Sequence, residues 1–128
     1  VVGGQFTAVG GLPRNSIAHV LADNSVSPWD PGADGPGFAL ALEGPTLYAG
    51  GGFANIGGQP RSNIAALDAS TGAVTPWDPH AEGGPVLALL SSNSAVFAGG
   101  EFTSVGGQPR NSLAKIDAST GSVTSWVA

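Results

Sequence analysis

One motif occurs three times in this chain of 128 residues and limits the folds that the chain can adopt. Phe6, Phe53 and Phe102 lie in matching contexts, spaced by 47 and then 49 residues. Between 49–77 and 98–126 there are 18 identities in 29 aligned positions without a gap. A repeat of this length is typical of architectures in which each copy is one supersecondary unit that packs on its neighbours.

Each copy contains four short apolar segments separated by turn residues. Such spacing predicts an all-β fold, and nothing in the chain has the helical period over a useful length. The first segments are 37–42 and 85–90, the second 47–50 and 95–99, the third 17–21, 64–68 and 113–117, and the fourth 26–29, 74–77 and 123–126.

Four strands in a repeat of 47–49 residues are typical of a β-propeller blade. Pro28 and Pro76 predict that the fourth segment is the outer edge strand, because proline cannot donate to a ladder. The first segment is apolar without alternation, which predicts an innermost strand covered on both faces. We therefore divide the chain, as one propeller domain forming a partial ring or part of a larger propeller, into 1–36 (blade 1 without its innermost strand, and the following loop), 37–84 (blade 2 and the following loop) and 85–128 (blade 3).

The charge of the chain argues against two classes of partner. The net charge is −5, with only four Lys and Arg residues. A nucleic-acid partner requires a basic stripe, which the chain lacks, and an anionic membrane surface is disfavoured for the same reason. No apolar run approaches the ~20 residues that span a bilayer. Without cysteine, disulfides and thiol chemistry are excluded.

Aromatic residues recur at fixed positions of the repeat. The tryptophans are spaced by 48 and 49 residues. We expect the phenylalanines to be buried between sheets, and the tryptophans to cap the rim of a blade or to dock against the next one. The alternative for the tryptophans is an aromatic platform for a sugar. The residues concerned are Phe6, Phe53, Phe102, Trp29, Trp77 and Trp126.

An arginine follows a proline between the second and third segments of every copy: Arg14, Arg61 and Arg110. The planar, five-donor guanidinium group suits loop carbonyls or a carboxylate. We expect a structural clamp, with Asp68 and Asp117 as candidate partners in their own blades. The alternative is contact with a ligand.

Two pairs of carboxylates match between copies, Asp30 with Asp34 and Asp78 with Glu82. They are the only candidates for a metal site. Ca²⁺ requires several oxygen ligands, and two carboxylates fall short of that number, so solvated turn residues are the preferred interpretation. The Asp-Ala-Ser-Thr-Gly segments that follow the third strands are turn sequences.

The sequence offers no set of catalytic or cofactor-binding residues. His19 and His80 occupy different positions of the repeat, and no Ser-His-Asp set can be assembled. The glycine pairs open no helix and are followed by no lysine, so they do not form a phosphate loop. Their recurrence predicts close backbone packing instead. We expect no catalytic residue and no cofactor.

Residues 66–77 (ALDASTGAVTPW) and 115–126 (KIDASTGSVTSW) resemble the blade motif of quinoprotein-type propellers, in which a tryptophan docks onto the next blade. One more residue than usual separates Gly72 from Trp77. The whole repeat more closely resembles the repeat propellers of large secreted bacterial proteins of uncharacterised function. That resemblance implies an extracellular or cell-surface location.

These observations favour a non-catalytic extracellular module for adhesion, scaffolding or ligand display. The alternatives are part of a quinoprotein-like dehydrogenase or another propeller enzyme, and a multivalent lectin. A glycan or a protein is the expected ligand. Residues 1–4 align with a second strand, so fewer than three complete blades are present, whereas a ring needs typically 4–8. Further blades of the same native polypeptide, or copies of the chain, are therefore the expected partners.

Overall fold

The computed structural model describes residues 1–28 and 30–126, without the side chain of Phe38. Every regular element within these residues is a β-strand, so the all-β prediction is confirmed. No helix in the described part of the chain is long and apolar enough to span a membrane. We name the three repeats unit 1 (1–36), unit 2 (37–84) and unit 3 (85–128).

The strands follow the repeat, with long strands in units 2 and 3. Unit 1 contains β1 (Val2–Gly3), β2 (Ala8–Val9), β3 (Leu12–Pro13) and β4 (Ile17–Ala18). Unit 2 contains β5 (Gly37–Glu43), β6 (Thr46–Gly51), β7 (Asn55–Ile56), β8 (Gln59–Pro60) and β9 (Ile64–Asp68), and its linker contains β10 (Ala81–Glu82). Unit 3 contains β11 (Val86–Ser92), β12 (Ala95–Gly100), β13 (Ser104–Val105), β14 (Gln108–Pro109) and β15 (Leu113–Asp117).

Each long sheet is antiparallel, in the order β5-β6-β9 for unit 2 and β11-β12-β15 for unit 3. In the described part of unit 1 the equivalent sheet consists of β1 and β4 alone. The loop between the second and third segments folds back as a small hairpin in every unit. Gly57 and Gly58 form one of these turns at φ 59° and 76°, the positive values that a two-residue type I′ turn requires.

The fourth segment differs from the prediction, since it forms a single β-bridge in each unit instead of a strand. The bridges join Val20 to Val26, Leu67 to Val74 and Ile116 to Val123. Proline at 28 and 76 has no N–H to extend the ladder. In addition, the carbonyl of Thr75 accepts a hydrogen bond from Arg61 and that of Thr124 from Arg110, so these groups are already engaged.

The first segment is also less covered than the sequence predicts. Leu42 is 64% exposed and Leu90 is 63% exposed. Both lie on β5 or β11, which are edge strands of their sheets. The expectation of a strand covered on both faces is therefore wrong for these two side chains, although β5 and β11 pack against each other.

The core clusters each join residues of two neighbouring units. One cluster joins Ile17 of unit 1 to Leu47, Phe53 and Leu67 of unit 2. The other joins unit 2 to unit 3 and includes Trp77, Val86 and Phe102. The predicted close packing at the glycine pairs is confirmed in units 2 and 3, because a Cβ on Gly51 would overlap the Pro36 carbonyl and one on Gly100 would overlap the Pro85 carbonyl.

Candidate functional site: the clefts between repeat units

Two clefts lie at equivalent positions of the repeat, where a unit meets the linker that follows it. Cleft 1 has a volume of about 600 Å³ and cleft 2 of about 440 Å³. The main lining residues of cleft 1 are Gln5, Phe6, Asn15, Ser16 and Asp34. Those of cleft 2 are Gly52, Phe53, Ser62, Asn63 and Glu82, at the same positions of the next unit.

The same backbone feature forms one wall of each cleft. Ser16 and Asn63 have φ values of 67° and 65°, which are uncommon for residues other than glycine. The N–H of Ser16 donates to the Phe6 carbonyl at 3.0 Å, and its carbonyl accepts from the Gly4 N–H at 3.0 Å. Asn63 bonds in the same way to Phe53 and Gly51. These paired bonds hold the unusual conformation in place.

The linker forms the opposite wall and is tied to the unit by hydrogen bonds. The Ala33 N–H donates to the Asn15 carbonyl at 3.0 Å, and the Ala81 N–H donates to the Ser62 carbonyl at 3.1 Å. In cleft 2 the Asn63 side chain also donates to the carbonyls of Ala81 and Gly84. Both clefts are thus formed by fixed backbone.

Each cleft carries one carboxylate at its rim. Asp34 accepts hydrogen bonds from the backbone N–H groups of Ala54 and Asn55 and from the Asn55 side chain, at 2.8–3.0 Å. The Asn55 side chain, followed by its backbone N–H, lowers the pKa of Asp34. Glu82 Oε1 lies 2.5 Å from Nε2 of His80, and both side chains are exposed.

The four candidate metal ligands do not come together. Asp30 lies 3.8 Å from Arg14 and Asp78 lies 3.8 Å from Arg61, whereas Asp34 and Glu82 have the separate partners given above. Among the described residues, no group of three or more His, Cys, Asp and Glu could hold a metal ion. The matching carboxylate pairs of the sequence therefore form no shared site.

The three arginines bind backbone carbonyls in the same way. Nη1 donates to the carbonyl of the preceding proline at 2.6–2.7 Å. Nη2 donates at 2.8–2.9 Å to a carbonyl of the fourth segment, which belongs to Ser27, Thr75 or Thr124. Each arginine therefore ties the hairpin to the outer segment of its own unit. Their buried Nε atoms have no hydrogen-bond partner within the described residues.

The expectation that Asp68 and Asp117 pair with the arginines is wrong. Each carboxylate instead accepts hydrogen bonds from the Ser side chain and the Ser and Thr backbone N–H groups of its own turn. The hydroxyl of Ser119, followed by the N–H groups of Thr120 and Ser119, lowers the pKa of Asp117 to about 2. The turn uses these acceptors locally, and the nearest carboxylates are instead Asp30 for Arg14 and Asp78 for Arg61.

The recurring aromatic residues differ in burial. Phe53 and Phe102 are buried in the two core clusters, while Phe6 is half-buried beside cleft 1. Trp77 is buried, and its Nε1–H donates to the Asp117 carbonyl of unit 3 at 3.0 Å. Trp126 is exposed, and Trp29 lies outside the described residues.

Comparison with known families supports one part of the repeat directly. Residues 95–123 match a β-propeller family, described as a domain of unknown function, DUF5122. This stretch is similar to a propeller repeat. It runs from β12 to the fourth-segment bridge of unit 3, and the equivalent stretch of unit 2 shares its strands, turn and arginine clamp. No curated protein and no solved structure matches the chain.

The clefts and the hairpins are not among the features predicted from the sequence. A signal for the hairpins exists, because a Gly-Gly pair between Val or Ile and Gln-Pro is typical of a two-residue turn. The clefts have no comparable signal. Their walls come from segments about 18 residues apart, such as Asn15 with Ala33, and from positive φ values at Ser and Asn.

Proposed function

We propose that the chain is part of a non-catalytic β-propeller in which units 1–3 are blades, and that it binds ligands outside the cell through clefts 1 and 2. The observation that carries this proposal is the recurrence of one cleft at equivalent positions of successive units. The same linker and positive-φ hydrogen bonds form it both times. A repeated, rigid cleft suits ligand display, as in adhesion or scaffolding, because several weak sites act together.

The lining of the clefts favours a glycan as the ligand, which makes a multivalent lectin the second candidate. Cleft 1 combines the amides of Gln5 and Asn15, the hydroxyl of Thr7 and the half-buried ring of Phe6. Convergent polar groups beside an apolar surface give orientation and specificity to a small-ligand site. The carboxylates at the rims and the net charge of −5 favour neutral or basic sugars over sulfated or sialylated ones.

A glycan array followed by calorimetry with the strongest hit tests the proposal. We expect about two sites per chain. Asn15→Ala removes a side-chain amide from cleft 1, and Ser62→Ala removes a hydroxyl from cleft 2. Each should abolish or weaken binding at one site by about fivefold, since one hydrogen bond contributes about 1 kcal/mol.

Ser92→Ala is the matched control, because Ser92 is an exposed residue at the far end of β11 and lies in neither cleft. The folded chain failing to bind any glycan would reject the lectin candidate. Binding that the cleft variants and Ser92→Ala leave equally intact would reject the clefts as the site.

A further inference from the structure

Unit 2 presents to unit 3 a set of side chains that we call the unit 2 face: Tyr48, Gly50, Ile64, Ala66 and Trp77. Unit 3 covers this face. Gly50 is the point of closest approach, because a Cβ there would lie 2.6 Å from Cγ1 of Val86 and 3.3 Å from Cδ1 of Leu89. Gly50 is thus a notch that receives the first strand of unit 3.

A second anchor holds the same interface at the rim. The Nε1–H of Trp77 donates to the carbonyl of Asp117, the last residue of β15. Tyr48 packs edge-to-face on the Trp77 ring with centroids 5.0 Å apart. The unit 2 face therefore recognises its neighbour through an apolar notch and one directed hydrogen bond.

Forty-nine residues later the chain repeats this surface, as the unit 3 face: Phe97, Gly99, Leu113, Lys115 and Trp126. Phe97 and Trp126 form the same edge-to-face pair, with centroids 5.8 Å apart. The notch at Gly99 is open, because the atom nearest to a Cβ there would be the Ser112 carbonyl oxygen at 3.7 Å. A cavity of about 210 Å³, lined by apolar residues that include Leu89, Leu90, Phe97 and Leu113, lies beside it.

We propose that the unit 3 face is the docking surface for another complete unit of this same repeat. This inference rests on one part of the proposed function, namely that the units are propeller blades. Docking continues the established interface of units 2 and 3. The first strand of a partner built like unit 3 brings the counterparts of Val86 and Leu89 to Gly99, and its third-to-fourth turn offers a carbonyl to Trp126.

Lys115 adds a chemical requirement for the partner, because it replaces the buried Ala66. Between units 2 and 3 a cleft of about 270 Å³ borders Ala66, Trp77 and Ser119. The equivalent space beside unit 3 accommodates the lysine, whose Nζ lies 5.7 Å from the centre of the Phe97 ring. Since a buried charge requires a partner, we infer that the docked unit carries an acidic side chain at its equivalent of Ser119.

The test extends the chain by one unit, joining residues 1–126 to a second copy of 78–128. Fluorotryptophan labelling and ¹⁹F NMR report the solvent accessibility of Trp126. The resonance of Trp126 is assigned as the one that is missing in the Trp126→Phe variant. We expect this accessibility to fall about sixfold on extension, the ratio between the exposed fractions of Trp126 (41%) and Trp77 (7%). Ser119→Glu in the added unit should protect Trp126 further, whereas Ser119→Gln should not.

Gly99→Val fills the notch and should restore the exposure of Trp126 in the extended chain. In the original chain, which serves as the matched control, the same change should leave the unfolding midpoint unchanged. Equal exposure of Trp126 in both chains, or an added unit that stays unfolded, would overturn the proposal. If the added unit does not dock but the chain still binds glycan, the docking inference is rejected and the proposed function stands. If Trp126 is protected but no glycan binds, the proposed ligand binding is rejected and the docking inference stands.

Discussion

Units 2 and 3 agree at 18 of 29 positions over 49–77 and 98–126 and share the same local structure, but their equivalent faces differ in burial. Tyr48 pairs with Ala66 across β6 and β9, and Phe97 pairs with Lys115 across β12 and β15 in the same register. Trp77 is nevertheless 7% exposed and Trp126 is 41% exposed. The neighbouring sheet, rather than the residue or its strand, decides what the ring contributes to stability.

This comparison separates two kinds of interaction in a repeat protein. Contacts within a unit, such as the arginine clamp and the Asp turn, recur unchanged in both units. Contacts between units exist only where a neighbour is present. Equivalent substitutions in the two units should therefore cost different amounts of stability where they remove contacts between units. They should cost the same where they remove contacts within a unit.

Trp77→Ala should have the largest effect. Removing a buried tryptophan leaves a cavity and costs about 3–5 kcal/mol, and the hydrogen bond to the Asp117 carbonyl is lost with it. Trp126→Ala should cost less than Trp77→Ala, because Trp126 is 41% exposed whereas Trp77 is 7% exposed. Urea unfolding of both variants measures the difference, and equal costs would contradict the role given to the neighbouring unit.

Gly50→Ala should have the next largest effect. The new Cβ would lie 2.6 Å from Cγ1 of Val86, and overpacking of this kind costs about 1–3 kcal/mol. Gly99→Ala is the matched control and should be neutral or slightly stabilising, since its Cβ would meet no atom closer than 3.7 Å and glycine weakens a strand. A destabilised Gly99→Ala chain would show that the open notch is not open in solution.

Arg61→Lys and Arg110→Lys should each cost about 1 kcal/mol, because lysine cannot make both hydrogen bonds of the guanidinium fork. The two costs should be equal, since Arg61 and Arg110 make the same pair of bonds within their own units. Thermal unfolding checks this expectation. A large difference between the two variants would mean that the clamp depends on the neighbouring unit.

The smallest effect is expected from the turn carboxylates, and it depends on pH. Hydrogen bonds in the folded turn lower the pKa of Asp117 from 3.8 to about 2. A pKa that is lower in the folded state adds stability above the unfolded value, which is lost as the pH falls from about 4 to 2. Asp117→Asn keeps one acceptor oxygen but removes the titration.

The unfolding midpoint of Asp117→Asn should therefore fall less steeply than that of the original chain over this pH range. Asp68→Asn should act in the same direction, because the Ser70 hydroxyl and the N–H groups of Thr71 and Ser70 lower the pKa of Asp68. An unchanged slope in both variants would show that these turns contribute nothing to acid stability.

Much of the fold could be predicted because it depends on short segments. The third segments at 64–68 and 113–117 coincide with β9 and β15, since an apolar run that ends in an Asp turn leaves little choice of boundary. The candidate site could not be predicted. Clefts 1 and 2 depend on how each linker meets Ser16 or Asn63, and no local pattern specifies that approach.

The sequence by itself determined the repeat, the positions of the long strands and the turns, because short apolar runs bounded by turn residues specify them. Tertiary structure decided the rest. It limits the fourth segment to one bridge, places Arg61 near Asp78 rather than Asp68, and buries Trp77 but not Trp126. Each of these outcomes depends on groups about 7 to 40 residues away along the chain. Their positions are set only when the sheets pack against one another.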